Sequence, residues 1–396
     1  MSEGHLPRAG LIGLGATQIA GYGTLYYAFS VLVPDVAREF QMPERWVFGA
    51  FSVALLAGSL AAPFSGRLAD RYGAGRVMTV GSAGAALSLV ATALAPGALA
   101  FAAALCLMQV VSSAVLYATA FTAIVQAGGA KAQRSIVHLT LMAGFASSIF
   151  WPLTSWLHGF LSWREVYLVF AALNALLCVP IHFGIAGLTG HALAARKGQA
   201  APEAGHAPPG NRLIFVLMLA GFAIEGYALS AMLVHMVPLT QALGLGGAGL
   251  LVASLFGPSQ VASRFINLVF GQGLSQAWLA VIAAVLMPAG IVILLLTTPS
   301  LAGAVVFAVC MGLGSGLTSI VGGTLPLELF GRKGYGRLMG WSTSAKQIAS
   351  AVAPFGMSFA MEAVGVKPAL LIVVAAGLSG TLALVAIPLL VRRAGR

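Results

Sequence analysis

The chain has 396 residues, 59% of them hydrophobic and only 8% charged, with a mean hydropathy of +0.95 and a formal net charge of +11. A water-soluble domain carries about 25% charged residues, so this chain cannot cover a core with polar surface, and its solvent is lipid. The basic excess sits in short clusters between apolar runs with no basic amphipathic face, which excludes nucleic acid as a partner and reads as topology signals and contacts to anionic lipid headgroups.

Crossing a bilayer takes about 20 mainly apolar residues at a rise of about 1.5 Å each. That requirement predicts twelve spans, at 11–37, 46–65, 77–95, 98–126, 135–157, 165–188, 212–241, 248–270, 275–297, 300–327, 338–361 and 368–391. Turn residues mark most of the breaks: Pro43, Pro96-Gly97, Gly128-Gly129, Gly244 to Gly247 and Pro299. The first apolar run is too long for a cleaved signal peptide and is read as an uncleaved span. Residues 189–211 are rich in Ala, Gly and Pro and form the one long polar stretch, placed mid-chain. The expected organisation is therefore all-α: a six-helix bundle over 1–188, a cytoplasmic linker over 189–211, and a second six-helix bundle over 212–396. Of the 21 basic residues, fifteen fall on one side of this layout, four on the other and two inside spans. The positive-inside rule then puts both termini in the cytoplasm, in a cell inner (plasma) membrane protein.

A weak internal repeat agrees with two halves. Gly21-Tyr22 and Pro34 in the first span are matched by Gly226-Tyr227 and Pro238 in the seventh, and Pro152 in the fifth by Pro354 in the eleventh. Prolines and glycines inside spans read first as kinks and close helix packing. Cys106, Cys178 and Cys310 all lie within apolar runs, far apart, so neither a disulfide framework nor a zinc site is expected. No His-Glu-x-x-His, P-loop or Gly-x-Ser-x-Gly pattern is present. The expectation is a protein that is not an enzyme and takes no cofactor or metal.

The stretch from Gly66 to Arg76 lies between the second and third spans. Gly66 and Gly73 permit a sharp turn and a close helix approach. Asp70 is a lone acid among Arg67, Arg71 and Arg76, and it can face an arginine or the positive N-terminus of a neighbouring helix. With Gly66, Asp70, Arg71, Gly73 and Arg76 at these spacings, the stretch resembles the G-x-x-x-D-R-x-G-R-R signature of the major facilitator superfamily; Gly75 departs from the first of its two final basic places. The resemblance implies a transporter working by alternating access, in which this loop latches the cytoplasmic side.

An ionised group at bilayer depth costs several kcal/mol unless it meets water or a partner. Three charges lie inside spans: Glu225, Arg264 and Lys346. Counting along the spans puts Arg264 about 10 Å and Lys346 about 13 Å from the cytoplasmic ends of their helices, a shared depth near the midplane. Two cations at one level describe an anion site, with Arg264 gripping a carboxylate through parallel hydrogen bonds and Lys346 acting as a point charge. The competing structural reading is a helix-end hydrogen bond for Arg264 and snorkelling for Lys346. An Arg in the eighth helix and a Lys in the eleventh, with the aromatic run Gly23-Thr24-Leu25-Tyr26-Tyr27 in the first, resemble the oxalate–formate antiporter branch near the monocarboxylate porters. Gln260 stands where the animal porters carry an acid one turn before the Arg, so proton coupling through that position does not transfer.

Glu225 is either a proton carrier or a static group that pairs with a cation or caps a kink at Gly226. Tyr22, Tyr26 and Gln347, with Gln18, Gln109, Tyr27 and Tyr117, are polar groups available to line a cavity. Glu328, close to Arg332 and Lys333, reads as one half of a cytoplasmic-end ion pair. The function expected is secondary transport of a small organic anion, coupled to a proton or a counter-anion, by a monomer. The alternatives are efflux of drugs or oxyanions and, outside transport, a membrane sensor.

Overall fold

The computed structural model describes residues 6–198, 211–245 and 249–394, and among these it is helical with no strand. Twelve helical segments follow one another. α1 covers residues 8–39, α2 Glu44–Tyr72, α3 Ala74–Ala93, α4 Ala98–Ala127, α5 Gly129–His158, α6 residues 163–198, α7 Asn211–Ala242, α8 Gly249–Phe270, α9 Gln276–Thr297, α10 Leu301–Phe330, α11 Tyr335–Val364 and α12 Val366–Ala394. Helices satisfy their own backbone hydrogen bonds, which is what a hydrocarbon solvent demands. Among the described residues, nine segments hold an apolar stretch long enough to cross a bilayer; α1, α8 and α11 fall outside that set, and these three carry Tyr22 and Tyr26, Arg264, and Lys346.

The segments start and stop for local reasons. Ser162 and Glu165 form a reciprocal capping box at the start of α6, and Ser275 caps α9. Gly73 ends α2 at φ 95°, a conformation that strains any side chain, and α3 begins at the next residue. Gln126 of α4 straps this corner: its Nε2 donates to the Ala69 carbonyl at 2.9 Å and its Oε1 accepts from Ala74 N–H at 2.8 Å. α1 and α6 each contain a five-residue π turn, Gly23–Tyr27 and Asn174–Cys178. Such turns leave backbone groups misaligned, and buried amides meet them. Asn174 Nδ2 donates to the Phe170 carbonyl and to Thr24 Oγ1, both at 2.9 Å, and Gln109 Nε2 donates to the Leu25 carbonyl at 2.7 Å. Gln18 likewise donates to the Val115 carbonyl at 2.8 Å. Gln18 and Gln109, expected to line a cavity, are thus buried structural ties.

The chain divides into two compact units, Met1–Pro202 with Phe330–Ser344, and Glu203–Leu329 with Ala345–Arg396. The first is built around Phe29 stacked on Phe51 at 4.1 Å, with Leu32, Val36, Tyr167 and Phe170. The second centres on Met232, Met287, Phe307, Met311 and Val373. The linker expected over 189–211 begins as helix, since α6 continues to Gly198; residues 199–210 lie outside the described residues.

One end of the first unit carries a polar cluster. Arg164 pairs with Glu39 at 2.7 Å and donates to the carbonyls of Ala93 and Ala95 at the end of α3. Its guanidinium, with the Trp163 indole, holds the Glu39 carboxyl below the usual carboxylate range. Asp35 bridges Arg38 and His158 beside it.

Candidate binding site

The second unit brings Glu225, Arg264 and Lys346 together, and small residues are the reason. A Cβ on Gly226 would meet the Lys346 Cγ and the Ser350 Oγ at 2.8 Å, so α7 and α11 approach closely at this point because residue 226 has no side chain. One turn on, Ser230 Oγ donates to the Ser350 carbonyl at 2.8 Å. On the other side, α10 lies against α8. A Cβ on Gly312 would sit 2.6 Å from the Phe256 carbonyl oxygen, and one on Gly316 would sit 2.3 Å from that of Gln260. The polar neighbours then bond across: Gln260 Nε2 donates to Ser315 Oγ at 2.8 Å and Arg264 Nε donates to Ser319 Oγ at 3.0 Å.

Arg264 and Glu225 are 4% and 3% exposed, and Lys346 is half-buried. Glu225 Oε2 accepts from Thr318 Oγ1 at 3.2 Å, while Oε1 is buried without a hydrogen-bond partner among the described residues. Lys346 is the electrostatic neighbour of both, attracted by Glu225 and repelled by Arg264. An acid, two bases and two hydroxyls therefore converge from α7, α8, α10 and α11. Such a group can bind an anion through the guanidinium and ammonium and can hold or release a proton at the carboxylate. Gln347, next to Lys346, is exposed.

Tyr22 and Tyr26 belong to the first unit. The Tyr22 ring lies 4.8 Å from Tyr117 and 6.5 Å from Tyr27, and Tyr26 meets Tyr27 edge-on at 5.2 Å. Tyr27 in turn meets Trp151 at 5.6 Å, which makes an aromatic group at the π turn of α1. Tyr22 is half-buried and Tyr26 is 42% exposed.

The stretch around Asp70 is also assembled in the first unit. Asp70 accepts from the backbone N–H groups of Gly336 and Arg337, at 2.9 and 2.8 Å, so it caps the N-terminus of α11. Arg67, Arg71 and Arg76 are exposed, and Arg71 lies over the Tyr72 ring at 5.2 Å. A Cβ on Gly66 would sit 2.0 Å from the Gly336 carbonyl oxygen, and one on Gly340 would sit 2.5 Å from that of Ala62, so the two backbones touch without side chains between them. Glu328, read as an ion-pair partner, accepts instead from the N–H groups of Gln276 and Ala277 at the start of α9, at 2.7 and 3.2 Å.

Sequence reasoning passed over Thr318 and Ser319. The glycines around them, Gly312, Gly314, Gly316, Gly322 and Gly323, draw attention to packing, and hydroxyl residues are common on tightly packed membrane helices. The available signal was position: a hydroxyl one turn beyond Gly316, on the face those glycines press against α8.

A profile described as Major Facilitator Superfamily matches residues 16–354. Solved structures with a similar fold include the E. coli fucose:proton symporter FucP, at a TM-score of 0.68 and 14% identity, covering 97% of this chain and 98% of that one. The proton:xylose symporter XylE, bound to 6-bromo-6-deoxy-D-glucose, gives 0.68 and 14%, covering 94% and 95%. The human organic anion transporter MFSD10 (TETRAN) gives 0.66 and 18%, covering 95% and 97%. At these identities the likeness is one of fold. Comparison with curated protein sequences gave no match.

Proposed function

The chain belongs to the Major Facilitator Superfamily, whose fold makes it a multi-pass membrane transporter rather than an enzyme, and we propose that its cargo is a small organic anion, a mono- or dicarboxylate. The observation that carries this reading is the placing of Arg264 and Lys346 in one unit, with Arg264 almost fully buried beside Ser319 and Lys346 packed against α7 at Gly226, one residue from Glu225. Two cations against the single carboxylate of Glu225 leave net positive charge in a low-dielectric interior, which is costly, and a visiting carboxylate lowers that cost. Arg264 grips the carboxylate through its planar fork and Lys346 adds a point charge. Gln347, next to Lys346 in the same unit, adds a polar contact to the cargo.

Glu225 carries the coupling proton. With Glu225 ionised, the three charges sum to +1 and suit a monocarboxylate; protonated, they sum to +2 and suit a dicarboxylate. Repulsion in the empty site disfavours closure, and cargo permits it, which is the logic of alternating access, in symport with a proton or in exchange for a counter-anion. The Asp70 contact latches the cytoplasmic side. In this scheme the protein is a monomer in the cell inner membrane, with both termini and the 189–211 linker in the cytoplasm between halves 1–188 and 212–396.

The test is a thermal-shift screen of the purified protein against acetate, lactate, oxalate and succinate, with Arg264→Ala alongside. At least one of these stabilises the native protein, and Arg264→Ala loses that response by tenfold or more in apparent affinity, as expected for a charged bidentate contact of about 1.5–3 kcal/mol. Equal stabilisation of both proteins sinks the anion site. A protein indifferent to all four carboxylates but stabilised by lipophilic drugs points to efflux instead.

A further inference from the structure

At the end of the first unit that carries Glu39 and Arg164, α1 and α5 are joined through His158. The ring's Nδ1 lies 3.1 Å from the Leu161 carbonyl oxygen, and its Nε2 contacts Oδ2 of the Asp35 carboxylate. A carbonyl oxygen only accepts, so Nδ1 carries a proton and donates it. A neutral ring protonated at Nδ1 has a bare lone pair at Nε2. An ionised carboxylate oxygen likewise offers only lone pairs. Contact between Nε2 and Oδ2 therefore requires a second proton between them, whichever of the two atoms holds it.

The neighbouring charges do not replace that proton. On α1, Arg38 takes Asp35 Oδ1, but its side chain is 78% exposed, against 23% for His158 and 26% for Asp35. Water screens the Arg38 pair more than the His158 pair. From α6, Arg164 is engaged by Glu39 and by the Ala93 and Ala95 carbonyls, and Glu165 is bound in the capping box with Ser162. Glu39 also accepts from the Trp163 indole. At the start of α2, Glu44 and Arg45 are exposed. Once the shared proton leaves, the lone pairs of Nε2 and Oδ2 face each other and the contact opens. The π turn Gly23–Tyr27 interrupts regular helix between the first part of α1 and its last stretch, Ala28–Glu39, which carries Asp35. That last stretch can swing at the turn without unwinding the rest.

We propose that His158 and Asp35 form a proton-binding clasp: a proton shared between Nε2 and Oδ2 fastens the last stretch of α1 to the end of α5, and its loss releases that stretch. α2 begins at this end of the unit with Glu44 and finishes at the other with Asp70 in its last turn. Under the topology proposed above, the clasp therefore faces the outer aqueous side and responds to the pH there. The contact needs the proton, so its stabilisation is present at low pH and is lost as the pH rises through the imidazole range of about 5 to 8. None of this depends on the anion site in the second unit.

The experiment is hydrogen–deuterium exchange, read by mass spectrometry on the full-length purified protein at about pH 6 and pH 8 and corrected for the pH dependence of intrinsic amide exchange. In the native protein, peptides covering residues 28–40 lose protection about fivefold at the higher pH, the worth of a charge-assisted hydrogen bond discounted for its partial exposure. Asp35→Asn offers an amide N–H to the bare Nε2, and His158→Gln offers one to the carboxylate, so each variant keeps the contact without a shared proton. Both lose the pH dependence. Arg38→Gln retains it, because a guanidinium does not titrate in this range. Should His158→Gln not fold, Asp35→Asn carries the same expectation alone. Protection of residues 28–40 that is equal at the two pH values in the native protein overturns the clasp, and so does a native-sized change that persists in Asp35→Asn. A change that disappears in Glu225→Gln instead belongs to Glu225 and also overturns it.

Discussion

At the scale of single residues, the informative positions are charges placed where lipid makes them costly. Glu225, Arg264 and Lys346 could be picked out from hydropathy alone, because an ion at bilayer depth needs a reason to be there. Their partners could not. Thr318 and Ser319 matter through which way each hydroxyl points, and that is a property of helix packing. Gln18 and Gln109 make the same point in reverse, since polar groups in a span look like cavity lining until a backbone carbonyl is found at the end of each. The proton role proposed for Glu225 belongs to this scale. Glu225→Gln cannot gain or lose a proton at this position, so in proteoliposomes it abolishes pH-driven carboxylate uptake and leaves counterflow exchange within about twofold. Undiminished pH-driven uptake removes Glu225 from the coupling mechanism.

At the scale of elements, glycine decides which helices meet. Gly226 joins α7 to α11 around Lys346, Gly312 and Gly316 join α10 to α8 around Arg264, and Gly66 joins α2 to α11 at Asp70. Each is a place where a Cβ would strike a neighbouring side chain or backbone. The Asp70 contact depends on one of them, because its two hydrogen bonds reach backbone N–H groups and hold only while α2 and α11 stay close. Gly66→Ala therefore acts like loss of the Asp70 carboxylate. Both Gly66→Ala and Asp70→Asn slow exchange about tenfold, in line with hydrogen bonds to a charged group worth about 1.5–3 kcal/mol, and the double variant is no slower than either alone. A Gly66→Ala protein exchanging at the native rate, measured in proteoliposomes, argues against a role for this contact in transport.

At the scale of the whole molecule, one hydrogen-bonded helix corner of the first unit recurs in the second without the same residues. In the first unit Gln126 near the end of α4 caps the start of α3 at Ala74, and in the second Glu328 near the end of α10 caps the start of α9 at Gln276. Both members of the second pair lie 202 positions after their counterparts, the same offset that separates Pro152 from Pro354. Gln and Glu share an acceptor oxygen and a reach, so the capping geometry survives where the identity does not. The charge layout makes a prediction at this scale as well. A periplasmic-active phosphatase fused after Arg396 is inactive and a fluorescent protein fused there is bright, as the positive-inside rule requires; the opposite result inverts the topology and moves the Asp70 contact to the outer face.

Chain order and solvent were enough to anticipate twelve helical segments, nine of which among the described residues are long and apolar enough to cross a bilayer, an all-α membrane architecture and the three costly charges. Each follows from how many consecutive residues tolerate hydrocarbon, a sum over neighbours along the backbone. Only the tertiary structure decided that Asp70 meets a helix end rather than an arginine side chain, that Glu225 is held by Thr318, and that π turns in α1 and α6 are joined through Asn174. Those outcomes depend on contacts between residues up to 267 positions apart, and such contacts are set by which small side chains let two backbones come together, a condition that composition along one strand of sequence does not contain.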